Sequence, residues 1–124
     1  MIIGIGTDLL EIPRMARALA KPRFAQRMFS QEELALWERR GRSAAVLAGN
    51  FAAKEAVVKA LGTGFAGIRP SEVEILRDAA GAPYAVLNGH ARAVAEERGI
   101  ARFHVSISNT ETLCVAYVIA ENDV

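Results

Sequence analysis

The sequence predicts one α+β domain spanning residues 1–124, with a largely antiparallel sheet packed on one long central helix. Three observations lead there. Residues 72–87 carry a hairpin pattern, residues 43–61 form a long proline-free apolar segment, and RFHVSIS and LCVAYVIA flank a short polar turn near the C-terminus. Strands joined by tight turns and mixed with helices favour α+β over a doubly wound parallel sheet.

Each element follows in order. In IIGIGTD, Ile3, Ile5 and Thr7 share one parity and Gly4, Gly6 and Asp8 the other, which predicts a strand over 2–8 ending at Asp8. Pro13 suits the first turn of a helix running to about Ala20, where its missing N–H costs little. Ser30 followed by Glu33 has capping-box spacing and opens a helix over 31–40. The segment 43–61 is apolar around much of its circumference, so it lies across the sheet as the core element, and Gly62 stops it. EVEIL, the turn DAAGAP and YAVL make the hairpin. A helix over 88–99 precedes RFHVSIS, in which Phe103, Val105 and Ile107 alternate with His104, Ser106 and Ser108; NTET turns into the final strand.

Composition narrows the function. A chain of 124 residues that is 52% hydrophobic can bury one core. No apolar run approaches the ~20 residues of a membrane span, and no basic leader precedes MIIGIGTDLL. The lone Cys114 suits a reducing, cytoplasmic setting. A net charge of +1 does not mark a nucleic-acid surface, but the charge is unevenly spread: eight basic residues face three acids between Pro13 and Arg42. That stretch can steer an acidic macromolecule, or be a solvated helical surface.

Three sets of residues can carry chemistry. Asp8 and Glu55 are carboxylates of the kind Mg²⁺ prefers, although Asp8 can also serve a turn, and Glu55 can pair with Lys59 at i,i+4. Lys54, Glu55 and Lys59 precede a loop with Gly62, Gly64 and Gly67, where bare backbone can approach phosphate. That loop follows a helix, so the helix dipole has the wrong sign for anion capture, and a helix stop is the alternative. His104, Ser106 and Ser108, with Asn109 after them, line one strand face, a row that serves either a cleft or the wet side of a sheet. No nucleophile elbow surrounds either serine.

GIGTDLLEIPRM at 4–15, FAAKEAVVKALGTG at 51–64 and HVSIS at 104–108 together resemble the signature segments of the holo-acyl-carrier-protein synthases, the short-chain phosphopantetheinyl transferases. GAPYAVLNG at 81–89 and the terminal VIAE extend the likeness over nearly the whole chain. The resemblance implies Mg²⁺-dependent transfer of phosphopantetheine from coenzyme A to a serine of apo acyl carrier protein, releasing adenosine 3′,5′-bisphosphate, in fatty acid biosynthesis. It also implies a homotrimer with intersubunit active sites. A non-catalytic module of the same fold, binding carrier protein or coenzyme A, is the alternative.

Carried over residue by residue, Asp8 and Glu55 hold the metal and Lys59 joins them in catalysis. Lys54, Lys59, Gly62, Thr63, Gly64, Pro83, His104 and Ser106 contact coenzyme A, while Arg14, Met15, Arg17, Arg23 and Phe24 dock the carrier. Glu55, Asp8 through a bound water, or a carboxylate of the carrier can accept the serine proton. Two positions depart from the family pattern. Asn50 stands where many members have Arg, which removes a bidentate phosphate contact for which Arg42 or Lys54 can compensate. Asn109 stands where many have His or an acid, and it cannot titrate.

Overall fold

The computed structural model describes residues 1–124 and contains five strands and five helices. In chain order these are β1 (Ile2–Glu11), α1 (Ile12–Leu19), α2 (Phe24–Met28), α3 (Gln31–Arg39), α4 (Ala44–Leu61), β2 (Val73–Arg77), β3 (Pro83–Leu87), α5 (Gly89–Glu97), β4 (Arg102–Asn109) and β5 (Leu113–Glu121). A 3-10 turn over Pro70–Glu72 leads into β2. The α+β class is as expected. Two boundaries are not: β1 continues three residues past Asp8, and α2 is a short helix that the sequence reading omits.

β1, β5 and β4 form one antiparallel sheet in that order, and β2 pairs with β3 in a separate antiparallel hairpin. α4 crosses the inner face of the large sheet. Its Leu47, Ala48, Ala52, Ala53, Ala56, Val57, Val58 and Leu61 are fully buried against the inward residues Cys114, Ala116, Val118 and Ala120 of β5. Small residues dominate this contact, so helix and sheet come close. Gly4 and Gly6 make the approach on β1, since a methyl group at either would overlap the carbonyl oxygen of Ala60 or Ala56. Gly62 ends α4 in a left-handed conformation at φ +81°.

The inward parity of β1 is therefore Gly4, Gly6, Asp8 and Leu10, and its isoleucines point outward. Ile3, Ile5, Leu9, Leu113, Tyr117 and Ile119 are all exposed on the outer face of the sheet, with Ile5 at 71% and Tyr117 at 61%. A contiguous apolar face of this kind is unusual on an isolated domain.

Ser30 caps α3 as expected: its hydroxyl accepts from the Glu33 N–H, and the Glu33 carboxylate accepts from the Ser30 N–H. The same Glu33 is fully buried. Its Oε1 accepts from Lys54 at 2.6 Å, and its Oε2 accepts from Asn50 at 3.1 Å and from the Ile75 N–H at 3.3 Å. One carboxylate thereby ties α3, α4 and β2 together.

Candidate active site

The inward parity of β1 aims Asp8 at α4, where Glu55 stands on a half-buried turn. Both line a cavity of about 410 Å³ with Leu9, Leu10, Arg14, Met15, Ala18, Phe24 and Phe51. Lys59, one turn beyond Glu55, donates to the Thr7 carbonyl at 2.9 Å and lies 3.4 Å from Asp8 Oδ1. It pairs with Asp8 and forms no ion pair with Glu55. Burial raises the Glu55 carboxyl above its usual range, and the Asp8 charge adds to that while Lys59 opposes it. Two carboxylates that press on each other beside an open cavity form a site short of positive charge. With no third His, Cys, Asp or Glu beside them, the donor set fits Mg²⁺, which takes one or two protein carboxylates and fills its octahedron with water and phosphate oxygens.

Lys54 is not at this site. Its ammonium is fully buried and spends its three donors on Glu33 Oε1, the Pro70 carbonyl at 2.8 Å and the Val73 carbonyl at 2.6 Å, 5.3 Å from the Phe29 ring centroid. Neighbours on a helix are about 100° apart, so Lys54 and Glu55 face different surroundings. A coenzyme A contact from Lys54 is thus corrected to a structural role. Asn50 is likewise buried, donating to Glu33 and to the Ile75 carbonyl at 2.9 Å. Arg42 stacks on Trp37 at 4.5 Å and pairs with Glu38 at the surface, so of the two residues that could fill in for an arginine at position 50, Lys54 is committed to the core.

The Gly62–Gly64 N–H groups have partners within the chain. The N–H of Gly62 donates to Lys59, and those of Thr63 and Gly64 donate to Val58, so all three cap α4. The Thr63 hydroxyl donates to the Gly64 carbonyl. The free donors come next: the N–H groups of Phe65, Ala66 and Gly67 take no acceptor within the chain.

His104 and Ser106 lie on the outer face of the sheet, opposite Ile119 and Tyr117 of β5. They do not meet Asp8 and Glu55, which occupy the inner side. His104 Nε2 is 3.0 Å from Glu121 Oε1, and that contact, reinforced by Arg102, holds the Glu121 carboxyl below its usual range. Pro83 lines a separate cavity of about 220 Å³ with Arg40, Arg77, Ile107 and Asn109 among its walls. Burial, then the like charge of Arg40, weakens the hold of Arg77 on its proton. Two guanidinium groups around one hollow suit an anion. Arg40 was visible only as one of a basic run, and Arg77 gave no sequence signal, because a single arginine closing a strand is unremarkable.

Of the docking set, Arg14, Arg17 and Arg23 are exposed, and Phe24 is half-buried at the Asp8 cavity. Met15, at 3% exposure, packs in the core under α1 and forms part of the cavity wall.

Two carboxylates thus share one open cavity and a lysine pairs with one of them, and sequence comparison places this arrangement in a class of transferases. The chain belongs to the 4′-phosphopantetheinyl transferase superfamily, whose model matches residues 4–118. It is 48% identical over 121 residues to the holo-[acyl-carrier-protein] synthase of Lachnoclostridium phytofermentans, covering 98% of this chain and 97% of that one. Among solved structures it is similar to the synthase of Neisseria meningitidis, with TM-score 0.89 and 37% identity, covering 98% of this chain and 100% of that chain. The synthase of Bacillus anthracis, in complex with coenzyme A (3′,5′-ADP), matches with TM-score 0.82 and 30% identity over 99% of both chains.

Proposed function

We propose that this protein is a holo-acyl-carrier-protein synthase that uses Mg²⁺ and works as a trimer, with Asp8, Glu55 and Lys59 as its reacting centre. The transfer itself follows from family membership and from relatives that carry the synthase name over the whole chain. The observation that carries the site is two carboxylates on one open cavity, one of which, Asp8, lies 3.4 Å from the Lys59 ammonium.

The carrier serine hydroxyl attacks the phosphorus that bears the pantetheine arm, and adenosine 3′,5′-bisphosphate leaves. Asp8 and Glu55 would hold Mg²⁺, which when bound draws charge from the phosphate oxygens. Lys59, anchored on the Thr7 carbonyl, keeps a second positive charge beside Asp8 for the charge that grows on those oxygens. The free N–H groups of Phe65–Gly67 orient the phosphates, and Leu10, Phe24 and Phe51 exclude water around the cavity. The paired Arg40 and Arg77 beside Pro83 suit the phosphate of the nucleotide end.

Trimerisation is supported by the exposed Ile3, Ile5, Leu9, Tyr117 and Ile119, which need a cover. It would also reconcile the site, because His104 and Ser106 stand on that outer face, ready to serve the cleft of a second copy. The exposed Arg14, Arg17 and Arg23 fit an acidic carrier. The buried unpaired Cys114 suits the reducing cytoplasm.

The test is mass spectrometry of apo acyl carrier protein incubated with the protein, coenzyme A and Mg²⁺. The expected result is a gain of one phosphopantetheine, abolished by chelator and by Asp8→Ala, with charge reversal at Arg14 raising the carrier KM and light scattering giving three copies. A carrier whose mass never changes over a range of Mg²⁺ concentrations would overturn the assignment.

A further inference from the structure

A loop that follows a helix meets the negative end of that helix, where the last carbonyls lack partners. The loop from Gly62 to Gly67 is in that position after α4, yet it offers the free N–H groups to which phosphate is assigned. An uncompensated helix end would repel the anion those groups attract.

The structure supplies compensation from an element that has no role so far. Arg98, the residue that ends α5, donates from Nη1 to the carbonyl of Leu61, the last residue of α4. A Cβ on Gly62 would stand 2.7 Å from the same Nη1, so the guanidinium lies directly over this residue, whose φ of +81° favours glycine. At the other end of α5, the His90 ring lies 3.5 Å from where a Cβ of Gly67 would be. α5 therefore flanks the loop at both of its ends. The remaining donors of Arg98 have no acceptor within the chain.

We propose that Arg98 is a positioning residue for coenzyme A binding: it caps the carbonyl end of α4 and puts a positive charge where the helix would present a negative one, at the Gly62 end of the loop that carries the Phe65–Gly67 amides. The inference rests on the reading that this loop holds the phosphates of coenzyme A. Lys59, in the last turn of α4, compensates the same helix end from the Asp8 side. Arg98 works from the loop side.

The test measures coenzyme A affinity by calorimetry with Mg²⁺ and no carrier, at low and high salt, alongside KM and kcat in the transfer assay. Arg98→Met is expected to weaken coenzyme A binding about two- to fivefold at low salt, the range for one charge at a helix terminus, and less at high salt. The carrier KM stays unchanged and Arg98→Lys recovers most of the affinity. Arg92→Met removes an equal charge from the same helix, at a residue paired with Glu96, and leaves affinity unchanged. If Ala66→Pro, which removes one of the loop's free N–H groups, weakens binding and Arg98→Met does not, the inference on Arg98 falls while the phosphate reading stands. If neither does, the phosphate reading itself falls. Equal losses for Arg98→Lys and Arg98→Met, or a matching loss in carrier KM and melting temperature, would show a structural contact and overturn the electrostatic role.

Discussion

Lys54 and Glu55 are neighbours in one helix and live in opposite circumstances. Lys54 is sealed in the core with every donor used, held by Glu33 and two carbonyls. Glu55 faces a cavity with no ion pair of its own, its carboxyl raised first by partial burial and then by the Asp8 charge. The two charges belong to one sequence motif, but only the one left unsatisfied is free to act on a ligand. Satisfaction, more than charge or motif membership, separates scaffold from chemistry here.

The strongest way to break that comparison is to remove the sealed charge. Lys54→Ala leaves Glu33 buried with a missing partner, and breaking a buried pair in this way costs about 3–5 kcal/mol. Urea unfolding is expected to show that loss, while Asp8→Asn at the open site changes stability little and removes transfer. Glu33 and Lys54 pull against the same burial: desolvation raises the acid and lowers the base, and their mutual attraction opposes both. Should Lys54→Ala keep full stability yet lose coenzyme A affinity, Lys54 would return to the binding site.

A smaller effect is expected where the scaffold sets the spacing of the open site. Gly6→Ala places a methyl against the Ala56 carbonyl and pushes β1 off α4, a clash of the overpacking kind that costs about 1–3 kcal/mol. Because Asp8 lies two residues on and Glu55 one residue before Ala56, their separation changes too. Transfer should fall by more than stability does, read as kcat against the urea midpoint of the same variant. A proportionate fall in both would mean that the glycines serve packing alone.

These particulars mark how much the sequence could say. Periodicity and caps were enough for α3, α4, α5, the hairpin and the last two strands, since each rests on local patterns of 3.6 or 2 residues. The extension of β1 beyond Asp8 depends on pairing with β5 up to Leu113, a long-range fact. Asp8, Glu55 and Lys59 were legible only through resemblance, because spacing cannot reveal that residues 8 and 55 share a cavity. Lys54 was misread for the same reason: Glu33, its partner, stands 21 positions away and looked like a capping residue alone. The face of β1 was hidden too. Bare glycines turn inward there because α4 leaves no room for anything larger.

A third acid sharpens the contrast from the side of backbone satisfaction. Glu72 sits in the 3-10 turn before β2 and accepts from the N–H groups of Arg69 and His90, both at 2.8 Å. The Arg69 N–H contributes most to holding its carboxyl below the usual range. A depressed folded-state pKa stabilises the fold above the unfolded value, about 4.3 for Glu, and that stability is lost as pH falls through the folded pKa. Glu72→Gln should therefore cost about 0.5–2 kcal/mol near pH 7, as loss of a capping acceptor does. The gap between the two proteins should close on acidification below the unfolded value, when urea midpoints are compared from pH 7 to pH 3. Glu55, raised where Glu72 is lowered, has the opposite sign: Glu55→Gln should gain stability near pH 7, and that gain should shrink on acidification. A constant difference at every pH would mean that Glu72 acts through shape, and that the line between satisfied and unsatisfied carboxylates is drawn by packing instead of charge.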